Sequence, residues 1–390
     1  MKAVVCQNNA LTVRDIPDPK PAKGQVVLKV LRCGICGSDL HLKKHCDHMS
    51  ALAKRVGYPH IPASKDAVVF GHEFCGEVVE HGPGTSKKIK VGTRVCAVPM
   101  LRLPDRIDLT GLSSTAPGAY AEYLLVQEKL MEPVPNGLSA DLAALTEPMA
   151  VGLHAVNRSE IKRGDVAIVI GCGPVGLAVI CMLKAKGVKK VIASDFSPGR
   201  RALAQQCGAD MVINPADHSP FADWRDYGFI GELPQLLELG VGTREKLGML
   251  PVPWWHAWRL AEKAGLGPKR PVVFECVGVP GVLNQLMEGA PFMTRIVVVG
   301  VCMEVDKIEP ALAVNKEIEL RFVLGYTPLE YRDALHLIAE GQVKAQPLIT
   351  GKVGLAGVAG AFEALGNPEK HAKILIDPFN SSSGETILPV

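Results

Sequence analysis

The run Val166-Ala167-Ile168-Val169-Ile170, followed at once by Gly171-Cys172-Gly173-Pro174-Val175-Gly176, constrains the fold of this chain more than any other stretch. Five apolar residues in a row read as a strand covered on both faces. Glycines then permit a tight turn, and Pro174 to about Lys186 reads as a helix. A G-x-G-x-x-G run gains physical meaning in this strand–turn–helix setting. Gly171, Gly173 and Gly176 let a pyrophosphate approach the backbone, and the helix start at Pro174 and Val175 offers free N–H groups and a positive dipole end. The alternation continues. Strands are predicted at Lys190–Ser194, Met211–Ile213, Val272–Cys276, Arg295–Val299 and near Leu320–Val323, with a helix from about Pro198 to Cys207. Strands alternating with helices predict an α/β fold with a doubly wound parallel sheet.

Asp195 ends the second strand, 19 residues after Gly176. A carboxylate there accepts hydrogen bonds from both hydroxyls of an adenosine ribose and repels a 2′-phosphate, which favours NAD over NADP. Arg200 and Arg201 lie close by and pull the other way, since an arginine accepts that phosphate.

The first 150 residues differ. Short β-like runs (Val26–Val30, Gly76–Glu80, Ala119–Tyr123) are separated by turn residues such as His81-Gly82-Pro83-Gly84. They predict a largely antiparallel β domain. After about Gly325 the chain is expected to return to it, because the final run Ala372–Ile376 needs a sheet to join.

That β-rich part carries Cys36-Gly37-Ser38-Asp39-Leu40-His41 and then Gly71-His72-Glu73. A thiolate, an imidazole and carboxylate oxygen suit zinc with one position left open for catalysis. Cys36 and His72 are the first-choice ligands; Glu73 and Glu147 compete for the third place, Glu147-Pro148 lying just ahead of the nucleotide-binding part. Ser38 and His41 set a hydroxyl and a second imidazole beside the metal, where a proton can leave.

Composition excludes several alternatives. Net charge is +3 with no basic tail, so neither nucleic acid nor an anionic membrane is the expected partner. Eleven scattered cysteines in a chain of this size read as reduced thiols of a cytoplasmic protein. The N-terminus lacks the apolar core of a signal peptide. Val166–Leu183 is uncharged and long enough to imitate a membrane span, but its glycine-proline centre reads better as a buried strand, turn and helix.

Taken together and in this order, the Cys36–His41 run, Gly71-His72-Glu73, Glu147-Pro148 and the glycine fingerprint resemble the zinc-dependent medium-chain dehydrogenase/reductase superfamily over nearly the whole chain. Glu147-Pro148 resembles the sorbitol, butanediol and threonine dehydrogenase branch. The resemblance implies a GroES-like catalytic domain at 1–152 and 325–390 around a Rossmann NAD-binding domain at 153–324. It implies one catalytic zinc, an NAD-linked oxidation of a secondary alcohol, diol or polyol, and a homodimer or homotetramer. It assigns a proton path from Ser38 through the nicotinamide ribose to His41. It sets the backbone at Val277, Val299 and Val301 beside the nicotinamide and Lys373 at the pyrophosphate. Asp39 orients neighbours, and His154 reads as a satisfied core histidine. A zinc-free carbonyl or quinone reductase of the same fold, or a non-catalytic nucleotide-binding protein, is the alternative.

Three departures stand out. The stretch from Cys96 to Gly118, where many members hold a structural zinc on four cysteines, contains only Cys96, so no structural zinc is predicted. The 35 residues between Cys36 and His72 form a longer separation than usual, and His45, Cys46 and His48 within it read as a solvated lid loop. The 58-residue connection from Ile213 to Val272 holds all four tryptophans in an insertion at about 215–268. Trp254, Trp258 and Ala261 share a helical spacing there, which reads as a small helical lobe packing its own aromatics. An oligomer contact, a cleft wall or a membrane anchor are its functional readings, the last disfavoured because Glu262 and Lys263 close the helix with no basic stripe.

Overall fold

The computed structural model describes residues 1–367, 369–380 and 387. Its centre is a six-stranded, all-parallel sheet in the order Met211–Ile213, Lys190–Ser194, Val166–Ile170, Val272–Glu275, Arg295–Val298, Glu319–Phe322. Strand order reverses beside Val166–Ile170, so a ligand crevice opens at the carboxyl end of that strand. Alternate residues of Val166–Ile170 feed two cores. Ala167 and Val169 pack with the helices Thr146–Ser159, Pro174–Ala185 and Pro328–Ala339. Val166 and Ile168 pack on the opposite face with Phe221, Phe229, Leu286 and Met287. The helix Pro174–Ala185 buries every residue from Gly176 to Leu183. A helix apolar all round belongs inside a protein, which explains the membrane-like run; among the described residues no helix is long and apolar enough to cross a bilayer.

The second sheet is mostly antiparallel. Its long strand Gln25–Gly34 pairs with Glu73–His81 on one side and with the C-terminal strand Lys373–Ile376 on the other. The expected return of the chain is therefore present. The expected strand at Ala119–Tyr123 begins later, at Tyr123–Gln127; Ala121 makes only a single bridge, to Ala3.

The stretch expected as a lid loop is helical. Gly37–Arg55 forms one helix, kinked at His45. Cys46 and Ser50 are buried beneath it and donate to the carbonyls of Pro62 and Ile61. The loop reading rested on a His45, Cys46 and His48 spacing that matches no familiar zinc pattern, which leaves helix undecided; the buried positions Leu42, Cys46 and Ser50 fall on one helical face.

The region without cysteines is organised by a carboxylate. Asp108, fully buried, accepts hydrogen bonds from Arg106 Nε (2.9 Å), Ser113 Oγ (2.7 Å) and Thr115 Oγ1. The insertion forms two helices, Leu233–Gly248 and Trp254–Lys263, packed on each other. Trp254 lies edge-on to Trp255 and Trp258, and Arg244 stacks 4.5 Å from the Trp254 ring.

Candidate active site

Register builds the first half of the site. Gly34 lies opposite Glu73 on one neighbouring strand and opposite Leu375 on the other. Three strand ends therefore deliver Cys36, His72–Glu73 and Lys373 to one point. Gly34 is obligatory here, since a Cβ would stand 2.1 Å from Glu73 Oε2. Cys36, His72 and Glu73 each present a ligand atom, all within 4.8 Å of one another. Soft sulfur, imidazole nitrogen and carboxylate oxygen at that spacing fit a zinc ion.

Buried polar groups surround the imidazole. Asp39, fully buried at the first turn of the helix, accepts the Cys36 N–H (3.1 Å) and the Tyr120 hydroxyl (2.7 Å), and its other oxygen lies 3.4 Å from His72 Nδ1. Burial works to lower the His72 pKa, yet the charges of Asp39 and Cys36 outweigh it and hold it well above the ordinary value. Asp39 Oδ1 and His72 Nδ1 approach as an ion pair without a formed hydrogen bond, and on the other side of the ring Ser38 Oγ lies 3.3 Å from Nε2. This is the carboxylate–histidine arrangement that orients metal-binding imidazoles.

Glu147 enters from the first turn of the helix Thr146–Ser159 and is largely buried. Burial pushes its carboxyl up to about 7; the charge of Glu73 acts in the same direction, while His72 and a hydrogen bond from Tyr326 oppose it. A carboxyl that resists ionisation until a cation arrives is suited to a metal site.

Lys373 is not where the resemblance set it. Its ammonium is buried, 2.7 and 2.6 Å from the two oxygens of Glu73 and 2.9 Å from the Ile35 carbonyl. A cation at the buried start of a strand needs a buried anion, and Glu73 is the adjacent one.

The second half is the glycine turn. Gly176 has no room for a side chain, a Cβ falling 1.9 Å from the Gly171 carbonyl oxygen. The turn thus packs against the helix Pro174–Ala185, whose N-terminus faces the crevice. Asp195 accepts from Cys172 N (2.7 Å) and Ser197 N (2.8 Å). Arg200 lies over Gly173, with its Nε buried and unpartnered. Val277 and Val301 are exposed at the strand ends, whereas Val299 is buried in the core. A cleft of about 370 Å³ joins the halves, lined by His41, Lys44, Pro174, Arg200, Gly278 and His371 among others. His41 is half-buried in it; burial and the positive neighbours His45 and Lys44 lower its pKa. His154, by contrast, is engaged by Glu330 at 2.9 Å, away from this cleft.

Known proteins share this plan. A family model described as the alcohol dehydrogenase GroES-like domain matches residues 22–136, and one described as zinc-binding dehydrogenase matches 174–340. The (R,R)-butanediol dehydrogenase of Bacillus subtilis is 33% identical over 391 residues, covering 97% of this chain and all of that protein. This chain belongs to the zinc-dependent medium-chain dehydrogenases. Its Bacillus subtilis relative is also similar in structure, with a TM-score of 0.72, 31% identity, and 97% and 99% of the two chains covered. The sorbitol dehydrogenase of Gallus gallus is 25% identical over 375 residues, covering 93% and 92%. As a member of the zinc-dependent medium-chain dehydrogenases, the chain is an oxidoreductase acting on CH–OH donors with zinc and a nicotinamide cofactor.

Some site residues escaped the sequence. Glu275 is buried and accepts from Val277 N (2.7 Å) and Gly278 N (2.8 Å), fixing the turn beside the cofactor cleft. A carboxylate ending the apolar run Val272-Val273-Phe274 was its visible signal. Tyr120 and Tyr326, which bond the two acidic groups around the metal position, carried none.

Proposed function

We propose that this enzyme oxidises a secondary alcohol of a vicinal diol or polyol to the ketone, with NAD as acceptor. The relatives named for butanediol and sorbitol support the substrate class. The observation that carries the reading is the Cys36–His72–Glu73 cluster, with His72 and Glu73 buried and Cys36 partly so, at the cleft that the glycine turn also borders.

We assign Cys36, His72 and one of Glu73 and Glu147 to the metal. When bound, zinc supplies a Lewis acid for the substrate hydroxyl and NAD accepts the hydride. Ser38 takes up the hydroxyl proton, and His41 passes it to solvent. The lowered pKa of His41 keeps it neutral near pH 7 and able to accept. Gly171, Gly173, Pro174, Val175 and Gly176 cradle the pyrophosphate, with the Arg200 guanidinium above Gly173. Asp195 receives the adenosine ribose hydroxyls, which favours NAD over NADP. Val277 and Val301 border the nicotinamide. Domain boundaries fall near 152 and 325, though 368, 381–386 and 388–390 lie outside the described residues.

We also read the protein as a homo-oligomer. Among the described residues the edge strand Glu319–Phe322 is unpaired on one side, and Phe322 and Leu324 beside it are exposed. Eleven free thiols fit a cytoplasmic setting.

The test is NADH and NADPH formation on vicinal diols, polyols, simple secondary alcohols and L-threonine. Turnover concentrated on diols or polyols with NAD supports the assignment. Turnover confined to carbonyl or quinone reduction, undiminished by zinc chelation, would sink it.

A further inference from the structure

One buried acid takes no part in the metal site. Among the described residues, the buried carboxylates Asp39, Glu73 and Glu147 surround the metal position, and Asp108 and Glu128 hold loops of the β-rich part. Glu275 alone lies in the parallel sheet, at the end of the apolar strand Val272–Glu275. Its side chain meets backbone N–H groups and no cation: one oxygen, Oε1, accepts from both Val277 N (2.7 Å) and Gly278 N (2.8 Å). An uncompensated charge in an apolar sheet costs stability. What it provides in return is geometry, since bonds to a charged acceptor are short and directional.

That geometry extends over two strand ends. The Glu275 carbonyl accepts from Val299 N and Gly300 N, each at 2.9 Å. One residue thus joins the loop after its own strand to the end of the neighbouring strand. The two loops interlock through glycines. Gly278 has a φ of +68°, and a Cβ on it would stand 2.8 Å from Val301 N. A Cβ on Gly300 would stand 2.5 Å from Gly278 N. At the far end, Asp306 accepts from Gly281 N at 2.8 Å. The loop 277–281 is therefore pinned from both ends. It lines the cleft with Gly278, Val279 and Pro280, and Val277 and Val301 stand exposed beside it.

We propose that Glu275 is a positioning residue for hydride transfer: through the N–H groups of Val277 and Gly278, its carboxylate sets where the Val277–Val301 wall stands against the nicotinamide. The proposal rests on the reading of this cleft as the nicotinamide site. Hydride transfer needs its two carbons held about 3–3.5 Å apart, so a small displacement of the wall lowers the rate as well as the affinity. Without the acceptor, two donors are left unpaired and the loop relaxes until water reaches them. Asp195 and the glycine turn hold the other end of the cofactor, so the effect is confined to the nicotinamide end.

The experiment compares Glu275→Ala, Glu275→Asp and Glu275→Gln with the parent, using ADP-ribose, which lacks the nicotinamide, beside NADH. Glutamine keeps an oxygen for both N–H groups; aspartate is one methylene too short to reach them. In the Ala and Asp variants kcat for the parent's best alcohol should fall about a hundredfold, the cost of a misplacement of about 1 Å. NADH should bind them about tenfold more weakly. ADP-ribose affinity, measured by calorimetry, and zinc per chain should stay parental. The Gln variant should recover kcat and NADH affinity to within about threefold. The contrast between Asp and Gln serves even where the Ala variant does not fold. Parental kcat in the Ala or Asp variant would overturn the proposal. So would an equal loss of ADP-ribose and NADH binding, which would make Glu275 a support for the whole nucleotide-binding sheet, or a Gln variant as impaired as Asp. Failure of the parent to bind ADP-ribose would instead sink the reading of the cleft, and the proposal with it.

Discussion

The ammonium of Lys373 stands 2.7 and 2.6 Å from the two carboxylate oxygens of Glu73, and both side chains are buried. One candidate metal ligand thus has its charge neutralised within the fold, while the other, Glu147, sits unneutralised with its carboxyl pushed up to about 7. Removing one partner of a buried pair strands the other. Lys373→Met should cost the metal-free protein about 3–5 kcal/mol in urea unfolding, and zinc should recover part of it by replacing the missing positive charge. A loss below about 1 kcal/mol would mean that the pair is not held as described.

Asp108 does for its lobe what no cysteine set is there to do. Asp108→Ala should destabilise by about 1–3 kcal/mol through the hydrogen bonds it strands, with zinc content per chain unchanged. Burial opposes ionisation, but hydrogen bonds from Thr115, Ser113 and Arg106 outweigh it and hold the pKa below the ordinary 3.8. Its contribution is therefore full above that value and is lost as pH falls through the lower folded one. Thermal melts from pH 3 to 7 would show the difference between parent and variant narrow towards the acid end.

Much of this was readable from the residues. Both metal motifs, the glycine turn and Asp195 carry their chemistry within a few consecutive positions, and the apolar runs of the parallel sheet need no partner to be recognised. The Lys373–Glu73 pair was not legible, because 300 residues separate its members and only strand register joins them. The lysine was set at the pyrophosphate by the resemblance alone. The helix through His45 was missed for a related reason: Leu42, Cys46 and Ser50 are buried by what lies under them, and the sequence shows only a polar, histidine-rich stretch.

On the proposed proton path, His41 sets an acid limit on turnover. Burial, His45 and Lys44 all disfavour its protonated form, so the acid limb of kcat/KM for alcohol oxidation should lie below the ordinary 6.5. Lys44→Gln removes one of those positive charges, which eases protonation and moves the limb to higher pH. A limb that stays in place, or moves down, would remove His41 from the proton path.

On the proposed reading, Asp195 sets cofactor choice. Asp195→Ala should raise the KM for NAD about tenfold or more, the loss of one or two charge-assisted hydrogen bonds, and should improve NADP as repulsion of its phosphate disappears. Unchanged selectivity would return the choice to Arg200 and Arg201.

Gly176→Ala sets a Cβ 1.9 Å from the Gly171 carbonyl oxygen, forcing the turn out of shape. NADH binding followed by fluorescence should weaken at least about tenfold, with zinc content unaltered. Binding at parental strength would show that the turn does not hold the pyrophosphate.

The central claim is that Cys36, His72 and a glutamate hold a zinc ion on which turnover depends. The direct measurement is zinc per chain by mass spectrometry alongside NADH formation from a vicinal diol, for the parent and for Cys36→Ser. The account predicts about one zinc per chain with turnover in the parent, since a catalytic site needs a single ion, and loss of both in the variant while its fold, followed by circular dichroism, persists. Full turnover in a zinc-free Cys36→Ser protein would contradict it.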